Sequence, residues 1–424
     1  MSNATNLALL GLSGFGIAEN VLTSTGATTA PTFSASGVGV KEIRVVNQVL
    51  SRLGINNSTG SVSVSGLPDI SELDVPSWVN AGHISDWSTL QYYLSAVAAT
   101  NTSPASAVSV EQYGTFGGGG LYETGVLAPN GKIYLVPRTA TIGTIVDPNN
   151  NTLTTYGGSF PGNGGYVGGV LAPNGKIYFV PSAATVGRFV DPSNNSVTTY
   201  GNFPGVLSHE GGALAQNGKM YFFPRAATVG VIVDPSDNSV TTYGSFPGND
   251  AYVGGVLAPN GKIYFVPYAA TVGRFVDPSD NSVTTYGNFP GGGYVAGALS
   301  PNGQLYFSPT NATVGVIVDP TNNTVTTYGN FLGGGYEGGV LAPNGKIYFV
   351  PSAATVGRFV DPSNNTVTTY GSFPGSAAYV GGVLAPNGKI YFLPSSATVG
   401  RVVNTLNNNN FNLNVCTNPF FNKY

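Results

Sequence analysis

Cysteine, charge and long apolar runs are all scarce in this 424-residue chain, and each shortage excludes something. One cysteine, Cys416, rules out an internal disulfide framework and a four-ligand zinc site. Two histidines, His83 and His209, leave little for acid–base chemistry, and neither lies beside a nucleophile motif such as GxSxG. Only 8% of residues are charged and the formal net charge is −3, so there is no basic surface to hold nucleic acid. No apolar run is long enough to span a bilayer. The N-terminus, MSNATNLALLGLSGFG, lacks the basic segment of a secretory signal. What is plentiful is Gly (60), Tyr (24) and Phe (22), together with Val, Thr, Ser and Asn. Such a chain can fill a core, and β-branched and aromatic residues favour strands over helices.

From about residue 121 one phrase recurs, typified by GGVLAPNGKIYFVPSAATVGRFVDPSNNSVTTYGNFPG. Its Asn-Gly falls at Asn130, Asn174, Asn217, Asn260, Asn302, Asn344 and Asn387, at intervals of 44, 43, 43, 42, 42 and 43 residues. Seven units of this length predict a mainly β chain, a seven-bladed β-propeller of four-stranded blades. Within a unit, strand a reads GGVLA, strand b KIYFVP, strand c VGRFVD and strand d SVTTYG. Asn-Gly predicts a tight a–b hairpin with positive φ at both residues, and DPSNN predicts the c–d turn. An open solenoid would need capping repeats, and the terminal repeats are ordinary. VSVEQYG (108–114) matches strand d and is expected to close the last blade, with FNLNV (411–415) as its rival. Units reading GRFVDP alternate with units reading GVIVDP or GTIVDP, a pattern that suggests duplication of a two-blade element.

Residues 1–107 do not repeat. KEIRVVNQVLSRLG (41–54) predicts an amphipathic helix, and SDWSTLQYYLSAVAA (85–99) a second, opened by Ser85 or Asp86. The expected organisation is an extended segment over 1–40, a small helical or mixed region over 41–107 and the propeller over 108–424.

In a propeller of this kind the d–a and b–c loops share one face. The aromatic position closing the d–a loop reads Tyr122, Tyr166, His209, Tyr252, Tyr294, Tyr336 and Tyr379, predicting a ring at the mouth of the central channel. Arg188, Arg274, Arg358 and Arg401 precede the apolar run of strand c, while Arg138 and Arg225 stand in b–c loops. Aromatic rings beside planar cations can stack on and hydrogen-bond a sugar, so the seven ring residues with Arg188, Arg274 and Arg358 are the candidate ligand-binding set. The plainer alternative is that Tyr packs between blades while Arg pairs with a carbonyl or a Glu. Glu123, Glu210 and Glu337 follow the ring position in three units, where the others have Val. Across blades they offer the paired carboxylates that glycoside hydrolysis would need. The c–d turn aspartates, including Asp234/Asp237 and Asp277/Asp280, fit turn chemistry better than a calcium loop. No catalytic set, metal site or cofactor is expected.

ENVLTSTGATTAPTFSASGVG (19–39) resembles a phrase common near the ends of bacteriophage tail-fibre and other virion adhesin proteins, VLTSxGxxxAPTF; the match covers about twenty residues. The APNGKIYFVP repeats resemble those scattered through viral and microbial proteins of unassigned role. The resemblance implies a virion structural protein, made in the host cytoplasm and placed on the particle surface. Residues 1–107 would then contact other virion proteins, and the chain would form a homo-oligomer. The propeller would face a host cell-surface glycan, with no nucleic acid and no membrane insertion. A capsid or tail decoration protein that binds no receptor, and a microbial surface lectin, are the alternatives.

Overall fold

The computed structural model describes residues 108–203, 208–331 and 333–405. The two expected N-terminal helices, Cys416 and the rival closing strand at 411–415 lie outside these residues.

The described residues form 28 strands, β1–β28 in chain order, paired into seven four-stranded antiparallel sheets. Blade 1 runs β2 (Tyr122–Leu127), β3 (Ile133–Pro137), β4 (Gly143–Asp147) and β5 (Thr152–Tyr156), in spatial order a-b-c-d. Blades 2 to 6 repeat this over 166–202, 209–243, 252–288, 294–328 and 336–370. Blade 7 takes three strands from the end of the ring, β26 (Tyr379–Leu384), β27 (Ile390–Pro394) and β28 (Gly400–Asn404). Its outer strand is β1 (Ser109–Tyr113), which pairs antiparallel with β28 from Ser109↔Asn404 to Tyr113↔Gly400. The chain thus buckles its own ring, and the strand at 108–114 is the one that does it.

Burial follows strand order. Strand b is buried at every position in every blade (IYFVP and its variants), whereas strand d shows one buried residue, its Tyr, beneath exposed Ser and Thr. That Tyr lies across the first Gly of strand c: a Cβ on Gly230 would stand 2.1 Å from the Tyr243 ring, and one on Gly400 2.1 Å from Tyr113. Glycine is required there because the ring occupies the space of a side chain. The Tyr and Phe of successive strands then continue edge-to-face from blade to blade, as in Tyr243–Phe246 at 5.8 Å and Phe246–Phe265 at 5.3 Å.

The a–b turn departs from expectation. Gly131 has φ +76°, but Asn130 does not share a positive φ. Gly131 N–H donates to the Ala128 carbonyl at 3.0 Å, and Ala128 N–H to that of Lys132 at 2.8 Å. The loop is therefore Pro129-Asn130-Gly131, a type I turn closed by a left-handed Gly; Pro at the first turn position presets the negative φ that a two-residue turn could not use. Freed from the left-handed region, Asn130 reaches the next blade and donates to the Pro192 carbonyl at 3.0 Å. Beside it Tyr134 Oη donates to Asn195 Oδ1 at 2.6 Å, and Asn195 is the residue at φ +61° in that blade's c–d turn. The same pair of bonds crosses the seam, from Asn387 to Pro148 and from Tyr391 to Asn151. At the joint between blades 6 and 7 the c–d turn is cut by the chain ends, and Asn344 donates instead to the Thr405 carbonyl at 3.2 Å.

Candidate functional site

The two faces of the ring differ in kind. On the face of the a–b and c–d turns the same contacts recur with little change. Asp191 Oδ1 accepts from Ser193 N–H at 3.0 Å and Oγ at 2.6 Å, bonds that hold its carboxyl below the usual range, and Lys219 sits 3.1 Å from Asp234. Asp237 and Asp280 cap the backbone of Ser239 and Ser282 in the same way. No group of three or more potential metal ligands occurs among the described residues. These aspartates do turn chemistry.

The opposite face carries the sequence-predicted site, and the seven ring residues are found packed inside it. Tyr122, Tyr166, His209, Tyr252, Tyr294, Tyr336 and Tyr379 are between 0% and 7% exposed, so their ring faces are not offered to a stacking ligand. Their polar ends are spent on their own blades: Tyr166 Oη donates to the Val186 carbonyl at 2.8 Å, Tyr252 to Val272 at 2.7 Å and Tyr336 to Val356 at 3.0 Å. Tyr122 Oη lies 2.6 Å from Thr144 Oγ1, Tyr379 accepts from Arg401 Nε at 3.2 Å, and Tyr294 contacts Phe289. His209 takes the same place, with Nε2 3.3 Å from the Val229 carbonyl and Nδ1 3.0 Å from Ser208 Oγ. Burial pushes its imidazole down to about 4, so it is neutral at ordinary pH. The expectation of a ring lining the channel mouth fails because the d–a loop folds over these side chains and places them between blades.

Arg188, Arg274 and Arg358 likewise serve the fold. Their Nη1 groups donate to the carbonyls of Ser159, Ser245 and Asn330, at 3.1, 2.6 and 2.6 Å. Each guanidinium also covers a loop phenylalanine, Phe160, Phe246 or Phe331, at 5.2–5.7 Å. They tie strand c to the d–a loop that enters the same blade, and the plainer reading of these arginines holds.

The next residue along is also largely buried, yet in three blades it is a glutamate. In every blade strand a breaks register just after the aromatic position. Where that next residue is Val, the break spans two positions, as from Tyr252 to Gly254. Where it is Glu, the break spans three: Tyr122 to Gly125, His209 to Gly212, Tyr336 to Gly339. Gly211 and Gly338, which follow two of these glutamates, adopt φ +70° and +155°. A bulge re-aims the side chains beside it, and here it turns Glu123, Glu210 and Glu337 toward one another from blades 1, 3 and 6. Burial and mutual repulsion raise Glu123 to about 8 despite Arg138, whose Nη1 lies 2.8 Å from Glu123 Oε2. Glu210 and Glu337 are also raised, chiefly by burial; Arg225 opposes the shift at Glu210, and Ser352 and Arg138 oppose it at Glu337.

A second ring surrounds these groups, formed by the residue after the proline that ends strand b: Arg138, Ser182, Arg225, Tyr268, Thr310, Ser352 and Ser395. Arg225 Nη1 donates to Glu210 Oε2 at 2.6 Å and Nε donates to Asp250 Oδ1 at 2.7 Å, linking blade 3 to the loop entering blade 4. Tyr268 packs its half-buried ring on Val253, Val295 and Ala296. Tyr268 and Asp250 were missed by sequence reasoning, which looked for residues that repeat. The available signal was the opposite one, positions where a single unit departs from the others.

Comparison with known proteins extends the fold and not the chemistry. No protein-family model matches the chain, and no curated protein sequence matches it. Among solved structures, a streptogramin B lyase is similar with a TM-score of 0.61 at 14% identity, over 70% of this chain and 98% of the other. A catalytically inactive virginiamycin B lyase from Staphylococcus aureus, solved with quinupristin, has a TM-score of 0.60 at 14% identity, over 71% of this chain and 100% of its own. A fungal alcohol oxidase of the AA5 family, in complex with copper, has a TM-score of 0.57 at 14% identity, over 71% of this chain and 77% of the other. At this identity the propeller is what is shared. Propellers of this shape include enzymes, so the fold by itself assigns no activity.

Proposed function

We propose that this chain is a structural protein of a virus particle, of the bacteriophage tail-fibre or spike kind, whose propeller attaches to a glycan on the host surface. The observation that carries the binding role is the contrast between faces: one repeats its contacts blade after blade, while on the other the departures from the repeat are charged or aromatic and gather at the channel mouth. A ring that only braced its neighbours would have no use for Glu123, Glu210 and Glu337, which are raised toward neutrality by burial and disturb the register of their strands. The virion role is supported by the phrase at 19–39 and by the poverty of charge, which suits a surface locked into an assembly. In this reading residues 1–107 mount the chain on other virion proteins, several copies assemble together, and the propeller binds without catalysing.

The test is adsorption. Excess purified full-length chain should compete with particles for host cells, and mass spectrometry should find the chain in purified particles. Particles that contain it but adsorb normally in its excess would make it a decoration protein. Its absence from particles would end the virion reading and leave a surface lectin to be sought.

A further inference from the structure

Three departures from the repeat gather around one loop, the one that enters blade 4 at 249–251. The residue after strand b's proline is aromatic in blade 4 alone, at Tyr268. The residue two before the ring aromatic is charged in blade 4 alone, at Asp250, where the other blades have Gly, Leu or Ala. Arg225 joins the two blades through Asp250 and Glu210. Asp250 also has φ +56°, following Asn249 at +54°. Equivalent loops meet that left-handed demand with Gly164, Gly334 and Ala377, so the conformation belongs to the loop and the carboxylate is what blade 4 adds to it.

These groups are neighbours. Tyr268 N–H donates to the Ala251 carbonyl at 3.0 Å and Ala269 N–H to that of Asp250 at 3.1 Å, so the backbone that carries the tyrosine is bonded to the loop whose Asp250 pairs with Arg225. Their exposure is graded: the Glu210 side chain is 8% exposed, Arg225 26% and Asp250 43%. The inner carboxylate positions the guanidinium, and the outer one is open to a ligand.

We propose that this junction is a single sugar-binding site, with Tyr268 as the stacking platform and the Glu210–Arg225–Asp250 chain as the hydrogen-bonding arm. Its ligand is an uncharged hexose or a hexosamine at the end of a glycan. The proposal rests on the attachment reading above and names the site within it. A sugar ring lays its C–H face on an aromatic side chain. Two of the five guanidinium N–H groups donate to carboxylates, and the Arg225 side chain remains 26% exposed next to an Asp250 that is 43% exposed. One sugar hydroxyl can therefore accept from Arg225 while its neighbour donates to Asp250, a pattern that fits adjacent hydroxyls. Charge sets the class. The Arg225 guanidinium is already paired with Glu210 and Asp250, so it is not a free cation for an acidic sugar. Sialic and uronic acids would meet the exposed Asp250 carboxylate, whereas a neutral sugar meets no such repulsion and an amino sugar is attracted.

The repeat supplies variants that keep the fold. Tyr268→Ser installs the residue of blades 2, 6 and 7, and Glu210→Val with Arg225→Ser recreates the Val167/Ser182 pair of blade 2 without leaving a buried charge alone. Full-length chain would be titrated against immobilised oligosaccharides ending in a neutral hexose, an N-acetylhexosamine, a hexosamine or sialic acid. Wild type should bind neutral or amino ends and not sialylated ones, and each variant should weaken that binding at least ten-fold. A control on the opposite face, Lys176→Gln, installs the residue that blade 5 has at Gln304 and should bind as wild type does. Unchanged binding in Tyr268→Ser and the blade 3 variant, or preference for sialylated ends, would overturn the site while leaving glycan attachment standing. Failure of folded wild type to bind any of these glycans or the host cells would overturn the attachment reading and this site with it.

Discussion

Closure of the ring by β1 can be tested through one packing contact. In the structure Gly400 begins the third strand of blade 7, and the ring of Tyr113 lies over it from a strand 287 residues earlier in the chain. A Cβ on Gly400 would meet Tyr113 Cε1 at 2.1 Å and Cζ at 2.2 Å, where ordinary contact begins near 3.4 Å. The ring must then retreat by more than an ångström. It has nowhere to go: Phe116 and Tyr391 meet it edge-on at 5.7 and 5.1 Å, and its hydroxyl donates to the Phe392 carbonyl at 3.2 Å. Gly400→Ala should therefore cost about 1–3 kcal/mol, as overpacking does. Tyr113→Ala, which empties a buried aromatic site, should cost about 3–5 kcal/mol. The informative quantity is their coupling. With the Tyr113 ring removed, an alanine at 400 has room, and it restricts the unfolded chain, so it should be neutral or stabilising by about 0.4–1 kcal/mol. Urea unfolding followed by circular dichroism would read this out; at a slope of about 3 kcal/mol per molar, a 2 kcal/mol effect moves the midpoint by about 0.7 M. If Gly400→Ala costs the same with and without Tyr113, the ring is not over Gly400 and another segment, such as 411–415, closes the blade.

Other outcomes follow from the same contacts. Tyr178→Phe removes a hydroxyl that donates to Asn238 Oδ1 at 2.6 Å across a blade boundary and should cost about 1–2 kcal/mol in thermal or urea unfolding; Tyr348→Phe, at the cut joint, should cost less. His209 is held neutral with its imidazole near 4, so stability it contributes is present above the unfolded value of about 6.5 and lost as pH falls toward 4. His209→Tyr, which installs the residue of the other six blades, should keep the fold and remove that acid-side loss in a melting series from pH 7 to 4. Glu123 acts in the other direction: raised from 4.5 to about 8, it stays protonated in the fold while the unfolded chain has ionised. Its contribution is complete below about 4.5 and lost as pH rises through 8, so Glu123→Gln should flatten the decline between pH 5 and 9. A wild-type stability that rises over that window and is unchanged by Glu123→Gln would show that Arg138 keeps the carboxylate ionised.

Much of the architecture could be read directly, because its causes are local. A period of 42–44 residues, Asn-Gly after each first strand and Asp-Pro after six of the seven third strands are features of adjacent residues, and they suffice for blade number and strand order. Even there the hairpin was misjudged: Pro129 is adjacent to Asn130, yet its fixed φ selects a three-residue loop over the two-residue turn that Asn-Gly alone suggests.

What stayed hidden depends on partners distant in the chain. Tyr252 and Tyr268 are both tyrosines near a loop, and composition cannot tell that Tyr252 is 1% exposed between blades while Tyr268 rests half-buried at the mouth. Glu123, Glu210 and Glu337 become one electrostatic group only when the ring has closed and the bulges have turned them inward. The sequence by itself determined the repeat, the seven blades and the turns, since each is enforced within a few residues by φ preferences and alternating burial. Tertiary structure alone decided between the two strands that the sequence offered to buckle the ring, which aromatics are core, and which side chains share the channel mouth. Those outcomes follow from packing between blades, whose contacts join residues 60 or more apart and leave no mark on the local pattern of either partner.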